Sequence, residues 1–566
     1  MRHLLPAFLR KLFFALLPVI AISFAGCGPK FQLTPLEPAA PPVMADSGMV
    51  VAAHPLAAEA GLAVLKEGGN AVDAAIAALF ALNVVEPHAS GLGGGGFALV
   101  KMVDEEPVVI NFRERAPRGV DTAFYYNPSD SLSHLRHGAT SVCVPGAAAG
   151  WGEMLSRWGT FPLERLSRDG IKYAEVGFPI NPGLSRLIAD NLAMISSDTN
   201  MAAVFLRDSL PPAPGDTLRQ TNLAKTFKEI TARGLNSFYR GPIAEAVVEA
   251  VRADSGYMNL NDLEFYRVEI DPPIKTEYRG VTIYTIPPPS AGGATLIESL
   301  NLIAHNKATS AGMGKFESVH LMGQCINQAY ADAEATIGDP EFVKRDWRRL
   351  LTPAFASSAS SGISVAAKAA QRTPVVVPAT TDHGNTTHLV VIDRWGNMVS
   401  LTQSINYFFG AGVMAGSTGI LLNNQAADFS APPDSLNLIA PRHRPRSNMA
   451  PVLAIKDGKP FIAVGTPGGG RIPSTVTEIL VNIIDGGMNI SGAIDYPRFF
   501  PAGEFIVMEN RYPIETMKGL HKLGYKIPSV PPYHYYFGGA HGIMVSPDGK
   551  LSGSADKRRG GAARGY

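Results

Sequence analysis

The sequence predicts a mixed α/β fold, and three stretches carry the prediction. Residues 57–82 have helical character in two parts, split by Gly68-Gly69-Asn70. Residues 386–393 are rich in β-branched side chains. Asp393-Arg394-Trp395-Gly396-Asn397 then reads as a turn, and 398–405 as a second strand of similar length. The section 145–350 reads as mostly helical. The formal net charge of the 566 residues is +1, with no long run of one sign. The arginines near the C-terminus read as a short solvated tail, so a nucleic-acid partner is not indicated. No CxxC or HExxH pattern occurs and the histidines are scattered, so no metal ligand set is supported.

In chain order, the first element is a targeting segment, 1–27. Arg2, Arg10 and Lys11 give it a basic start, and 12–25 is apolar but short for a membrane span. It ends Phe24-Ala25-Gly26-Cys27, which resembles a bacterial lipoprotein cleavage box, with Phe24 where Leu is usual. That resemblance implies lipidation at Cys27, a membrane lipid anchor, and an exported protein that is periplasmic or anchored in the outer membrane. Several acyl chains anchor firmly where one does not. An ordinary signal peptide cut elsewhere is the alternative. Residues 28–46 follow as a tether, Pro-rich and without helical periodicity. Removal of 1–27 leaves roughly 540 residues, enough for a large buried core. Cys143 and Cys325 lie in apolar surroundings and read as buried thiols rather than a disulfide.

Residues 87–96 form a glycine-rich turn leading into a strand at 97–102. A phosphate loop is disfavoured, because no Lys-Ser/Thr follows and no helix opens there; close backbone packing accounts for the glycines. A second strand, 108–112, delivers Arg113, whose planar fork suits a carboxylate. Taken alone, Arg113 reads as a structural ion pair. Pro287-Pro288-Pro289 fixes an extended approach, and Gly292-Gly293 permits tight packing. Ser290 between them lacks the GxSxG elbow of a serine hydrolase. Residues 354–384 are Ala/Ser-rich, then polar, and read as a loose leader.

Asn385-Thr386-Thr387-His388 opens the hairpin with two hydroxyls, and arms of similar length bring Ser404 and Asn406 back beside Thr386. A threonine hydroxyl is a poor nucleophile unless a base adjoins it. A cut just before Thr386 supplies one, the new N-terminal amine, with a pKa of about 7.7–8.0. Without other signals, the bland reading is a hairpin with threonine on its surface.

Other signals are present, in order along the chain. They are Asn111-Phe112-Arg113-Glu114-Arg115-Ala116-Pro117, Asn423-Asn424-Gln425-Ala426-Ala427-Asp428-Phe429, Arg444-Pro445-Arg446-Ser447-Asn448-Met449-Ala450-Pro451 and Gly465-Thr466-Pro467-Gly468-Gly469-Gly470-Arg471-Ile472. With these segments the chain, from about 49 to 566, resembles the γ-glutamyltransferases, or glutathione hydrolases. The resemblance implies a four-layer αββα sandwich of the N-terminal-nucleophile hydrolases. Two chains cleaved from one precursor form it jointly, with a large subunit 47–385 and a small one 386–566. It implies that Arg113 alone of its segment grips the donor α-carboxylate, and that Asp428 pairs with the α-ammonium. Asn406, Gln425, Ser447 and Asn448 then add hydrogen bonds. Gly468 and Gly469 would supply oxyanion-hole N–H groups, each worth roughly 3–4 kcal/mol in the barrier. No cofactor is implied. The partners implied are a γ-glutamyl donor such as glutathione and an amino-acid or peptide acceptor.

Three features depart from the family pattern. Ser404 stands where Thr is common, keeping the hydroxyl beside Thr386. Asn448 replaces a second serine. The stretch 430–442 is short where many members carry a covering loop, which predicts an open groove, more hydrolysis and access for polymeric γ-glutamyl compounds. The alternatives are another N-terminal-nucleophile acylase acting on cephalosporin or glutaryl substrates, which needs no α-ammonium partner, or an inactive binding lipoprotein.

Overall fold

Two seven-stranded sheets are packed face to face in the computed structural model, which describes residues 33–126, 133–367, 384–432 and 436–566. The strands before the 385–386 junction are β1 (Val43–Ala45), β2 (Met49–Ala52), β3 (Gly95–Lys101), β4 (Val108–Phe112), β5 (Phe178–Pro179), β6 (Thr217–Leu218), β7 (Glu269–Asp271), β8 (Ile274–Tyr278) and β9 (Val281–Thr285). β10 (Gly384–Ile392) spans the junction. After it come β11 (Met398–Tyr407), β12 (Val452–Lys456), β13 (Lys459–Gly465), β14 (Phe499–Ala502), β15 (Phe505–Glu509), β16 (Ser529–Val530), β17 (His541–Val545), β18 (Leu551–Ala555) and β19 (Ala562–Gly565). One large sheet runs β19-β2-β10-β11-β3-β4-β7, the other β1-β18-β17-β13-β12-β9-β8.

Alternation along β10 makes the layers. Leu389 and Val391 belong to a core shared with helices Pro55–Glu67, Ala71–Val85 and Ala147–Trp158, whereas Val390 and Ile392 point into the core between the sheets. The second sheet is covered on its far side by helices Gly292–His305 and Ile472–Ile484, whose buried faces join that same core. The result is the expected αββα sandwich. Both large sheets mix strands from before and after residue 385, so neither part owns a complete sheet.

Local chemistry explains the boundaries. Helix Pro55–Glu67 ends at Gly68, in the left-handed region at φ 100°, where a side chain is disfavoured. Helix Ala71–Val85 starts with a capping box in which Asn70 and Asp73 satisfy each other's backbone N–H groups. Gly93, Gly94 and Gly96 sit against the chain so closely that a Cβ would lie 2.0–2.2 Å from the carbonyl oxygens of Leu421, Ser404 and Thr402. Close packing is therefore their role, as the sequence suggested. Cys143 and Cys325 are free and buried.

Three expectations need amendment. The tether read over 28–46 ends earlier, because Val43–Ala45 pairs antiparallel with β18 as an edge strand. Edge strands tolerate nearby prolines, which masked it. The start of the loose leader is ordered: Pro353–Ala359 is a helix, with Pro at its first turn and the Thr352 hydroxyl capping Phe355 N–H. The mostly helical section also holds the β8–β9 hairpin, turning at Arg279 and Gly280 with φ of 52° and 79°. The targeting segment with Cys27, and leader residues 368–383, lie outside the described residues.

Candidate active site

A β-bulge places Thr386. The β10–β11 register pairs Asn385 with Asn406 and Thr387 with Gln403, and the irregularity between them lifts Thr386 out of the ladder. Its hydroxyl reaches Ser404 Oγ at 3.1 Å. Ser404 Oγ donates to the Asn385 carbonyl oxygen at 2.6 Å and accepts the Asn406 N–H at 2.7 Å. One serine hydroxyl thus touches both the Thr386 hydroxyl and the carbonyl oxygen of the residue before it. Asn406 holds φ 78°, a strained value for a non-glycine residue.

Asn385, the residue before Thr386, is gripped by its side chain. Asn385 Nδ2 donates to the His88 carbonyl at 2.8 Å, and Asn385 Oδ1 accepts from Tyr535 Oη at 2.9 Å and Arg559 at 3.3 Å. Arg559 also lies 3.7 Å from the Tyr535 ring centroid. Nearby, Thr387 Oγ1 donates to Glu86 at 2.6 Å. Burial pushes the Glu86 carboxyl up to about 7, opposed by that hydrogen bond and by Arg559. Burial lowers the His88 imidazole to about 3, so it is neutral near pH 7. His388 is equally neutral; it lies in the inter-sheet core beside His541 and is not a base for Thr386.

On the other side of Thr386 a small pocket of about 70 Å³ is lined by Arg113, Ser404, Asn406, Gln425, Asp428, Ser447, Asn448, Gly469 and Gly470. β4 delivers Arg113, its side chain 1 % exposed, with the guanidinium 2.6 Å from Asp428 Oδ2 and bonded to the carbonyls of Pro445 and Arg446. Gln425 and Asn406 both donate to Asp428, at 2.5 and 3.3 Å, so they orient that carboxylate. The Gln425 side-chain oxygen, Oε1, is buried without a partner among the described residues and is placed to accept an ammonium hydrogen. Asp428 itself is 32 % exposed toward the pocket. Glu114, packed against Arg113 at 3.4 Å, is pushed up to about 7 by burial despite that neighbour.

The Ser447 loop is fixed from behind. Ser290, fully buried, donates to the Met449 carbonyl at 2.6 Å and to the Ser447 carbonyl at 3.3 Å, a structural role. Gly468 (φ 147°) and Gly469 (φ 56°) have backbone angles that side chains rarely adopt. Tyr330 Oη donates to the Gly470 carbonyl at 2.5 Å, and Arg471 to the Tyr536 carbonyl at 2.8 Å, bracing the loop. Gly469 lines the pocket and Gly468 stands one residue behind.

The structure therefore gathers Thr386, Ser404, Asn406, Arg113, Gln425, Asp428, Ser447, Asn448 and Gly469 around one small space. Sequence reasoning missed Glu86, His88, Tyr535 and Arg559. Glu86-Pro87-His88, directly ahead of the glycine run, was the available signal. Among the described residues, none from 430–442 lines the pocket. That segment is tied down beside it, through Ser430 N–H to the Asn437 carbonyl and Asn437 to the Asp428 carbonyl.

Comparison with known proteins adds three relatives. The profile of the family described as Gamma-glutamyltranspeptidase matches residues 57–566. The chain is 36% identical to the glutathione hydrolase proenzyme of Escherichia coli (strain K12), over 98% of each chain. It is also 36% identical to the acylase ACY 1 proenzyme of Pseudomonas sp. (strain V22), over 92% of this chain and 94% of that one. Among solved structures, a cephalosporin acylase from Bacillus halodurans superimposes with a TM-score of 0.84 at 29% identity, over 94% of this chain and 98% of that one.

Proposed function

This chain belongs to the gamma-glutamyltranspeptidase family, an enzyme family, and from that premise we propose a self-processing γ-glutamyltransferase with glutathione hydrolase activity. The observation that carries the reading is one pocket holding both the Thr386–Ser404 pair and the Arg113–Asp428 pair. In the precursor the Thr386 hydroxyl attacks the Asn385 carbonyl, with Ser404 bonded to its oxygen. The ester hydrolyses to chains ending at Asn385 and beginning at Thr386. In the mature enzyme the freed Thr386 amine takes the hydroxyl proton, directly or through water. The hydroxyl attacks the donor γ-carbonyl, the N–H groups of Gly468 and Gly469 stabilise the oxyanion, and the amine departs with the proton. Cysteinylglycine is that amine when glutathione is the donor. Water or an acceptor amine then releases the γ-glutamyl group. Opposite charges at Arg113 and Asp428 select a donor with a free amino-acid head group.

The acylase relatives favour a second reading, a donor without an α-amine. Turnover of γ-glutamyl against glutaryl p-nitroanilide decides between them, because Asp428 serves only the former. The short 430–442 segment supports access by polymeric γ-glutamyl substrates. A γ-linked glutamate polymer cut no faster than in buffer alone removes that part. Export with a lipid anchor at Cys27 belongs to the same proposal and rests on the sequence of 1–27. Intact mass of the protein expressed without those residues tests the core of it. Two chains, the smaller beginning at Thr386, are expected; one stable chain overturns the maturation scheme.

A further inference from the structure

In the precursor the carbon that Thr386 attacks belongs to Asn385; in the mature enzyme a donor γ-carbonyl has to stand in that place, beside Ser404. Asn385 must therefore withdraw, and its side chain leaves a cradle built for it. Beyond the Thr386 N–H itself, which donates to Asn385 Oδ1 at 3.2 Å, the cradle offers two hydrogen-bond donors, Tyr535 Oη and the Arg559 guanidinium, and one acceptor, the His88 carbonyl. It adjoins the Arg113–Asp428 pocket at Thr386, and none of Tyr535, Arg559 and His88 lines that pocket. The donor head group occupies that pocket, so the part of a ligand beyond the γ-carbonyl meets the cradle.

We propose that, after maturation, this cradle is the subsite for the amine partner of the reaction, an amino acid or short peptide carrying a carboxylate. The carboxylate takes the place of Asn385 Oδ1 on Tyr535 and Arg559, and a backbone N–H of the ligand replaces Asn385 Nδ2 on the His88 carbonyl. The proposal rests on the self-cleavage and Thr386 nucleophile described above. The same atoms serve both directions of the chemistry. When the donor is split, the leaving peptide's carboxylate is held there while its nitrogen gains the proton. When an acceptor arrives, its neutral amine attacks the ester carbon, the bond from that carbon to Thr386 Oγ breaks, and the amine proton passes through the Thr386 amine to Oγ. Arg559 is the only fixed positive charge among the three groups, so it sets the preference for an anion. Glu86 is the acid that faces it, and its carboxyl is engaged by Thr387.

Glycylglycine and glycylglycinamide test this, because they share the attacking amine and differ only in the carboxylate. With γ-glutamyl p-nitroanilide as donor, the unmodified two-chain enzyme is expected to favour glycylglycine in kcat/KM by about tenfold, the usual worth of one charge-assisted hydrogen bond. Arg559→Gln, assayed on its two-chain fraction, is expected to bring that ratio close to one, and Arg559→Lys to keep most of it. Tyr535→Phe removes one donor without the charge and is expected to lower the ratio by a smaller factor. An unmodified enzyme that does not discriminate, or a preference that survives Arg559→Gln, overturns the subsite. The first of these needs no variant and so does not depend on Arg559→Gln maturing. An enzyme that spares γ-glutamyl but cleaves glutaryl p-nitroanilide overturns the donor assignment instead, and the same two acceptors then read the cradle with the glutaryl donor.

Discussion

Ser404 is the residue on which the proposed maturation and the proposed catalysis meet, since its single hydroxyl contacts both Thr386 Oγ and the Asn385 carbonyl oxygen. Ser404→Ala removes the donor to the developing oxyanion, and loss of one such donor typically slows a reaction by about 10²–10³-fold. A time course of chain cleavage on denaturing gels is expected to show that slowing, with Ser404→Thr close to the parent. Thr386→Ala is expected to stay a single chain with no turnover; a normally cleaved variant would sink the nucleophile assignment. At this scale the sequence showed more than usual. Thr386, Arg113, Asp428 and Ser447 each sit in a short ordered segment that reads locally. The cradle around Asn385 did not, because His88, Tyr535 and Arg559 lie far apart in the chain and converge only when both sheets close.

Among the elements, the β10–β11 hairpin positions the chemistry, and the glycine run ahead of β3 allows it to sit where it does. A Cβ at Gly94 would lie 2.1 Å from the Ser404 carbonyl oxygen, which is backbone and has to shift as a unit. Gly94→Ala is therefore expected to cost about 1–3 kcal/mol by overpacking, and also to displace Ser404 from the 385–386 junction. A lowered Tm together with a reduced two-chain fraction is the expected outcome; unchanged values for both would mean that β11 is free to move away. The hairpin was legible from β-branching and a turn of matching length. The bulge was not, because β11 is buried on both faces and so shows no period-two alternation for an extra residue to break. The β1 edge strand and the helix Pro353–Ala359 were hidden by Pro-rich and Ala/Ser-rich composition, and their order comes from tertiary partners.

For the molecule as a whole, the sheets interleave strands from both sides of residue 385, so separating the two proposed chains would mean dismantling both sheets. The stability of that unit has a pH signature. Glu298 is fully buried on helix Gly292–His305, and burial together with Asp332 pushes its carboxyl up to about 9; burial pushes Glu478 up to about 8. Their unfolded values are near 4.5, so between those limits the folded state holds protons that the unfolded state has lost. Each such group therefore lowers stability by ~1.4 kcal/mol per pH unit from about 4.5 up to its folded pKa. The histidines with lowered values act on the acid side. His54 and His541 are lowered to about 4 and His88 to about 3, so their contribution is lost as pH falls from about 6.5 toward those values. Stability is expected to decline in both directions from mildly acidic pH. Glu298→Gln, which keeps the shape of the protonated side chain, should flatten the alkaline limb, so that its Tm gains on the parent steadily between pH 6 and 9. Parallel Tm curves over that range would mean that Glu298 already ionises in the folded protein, with the Arg349 charge offsetting burial and Asp332.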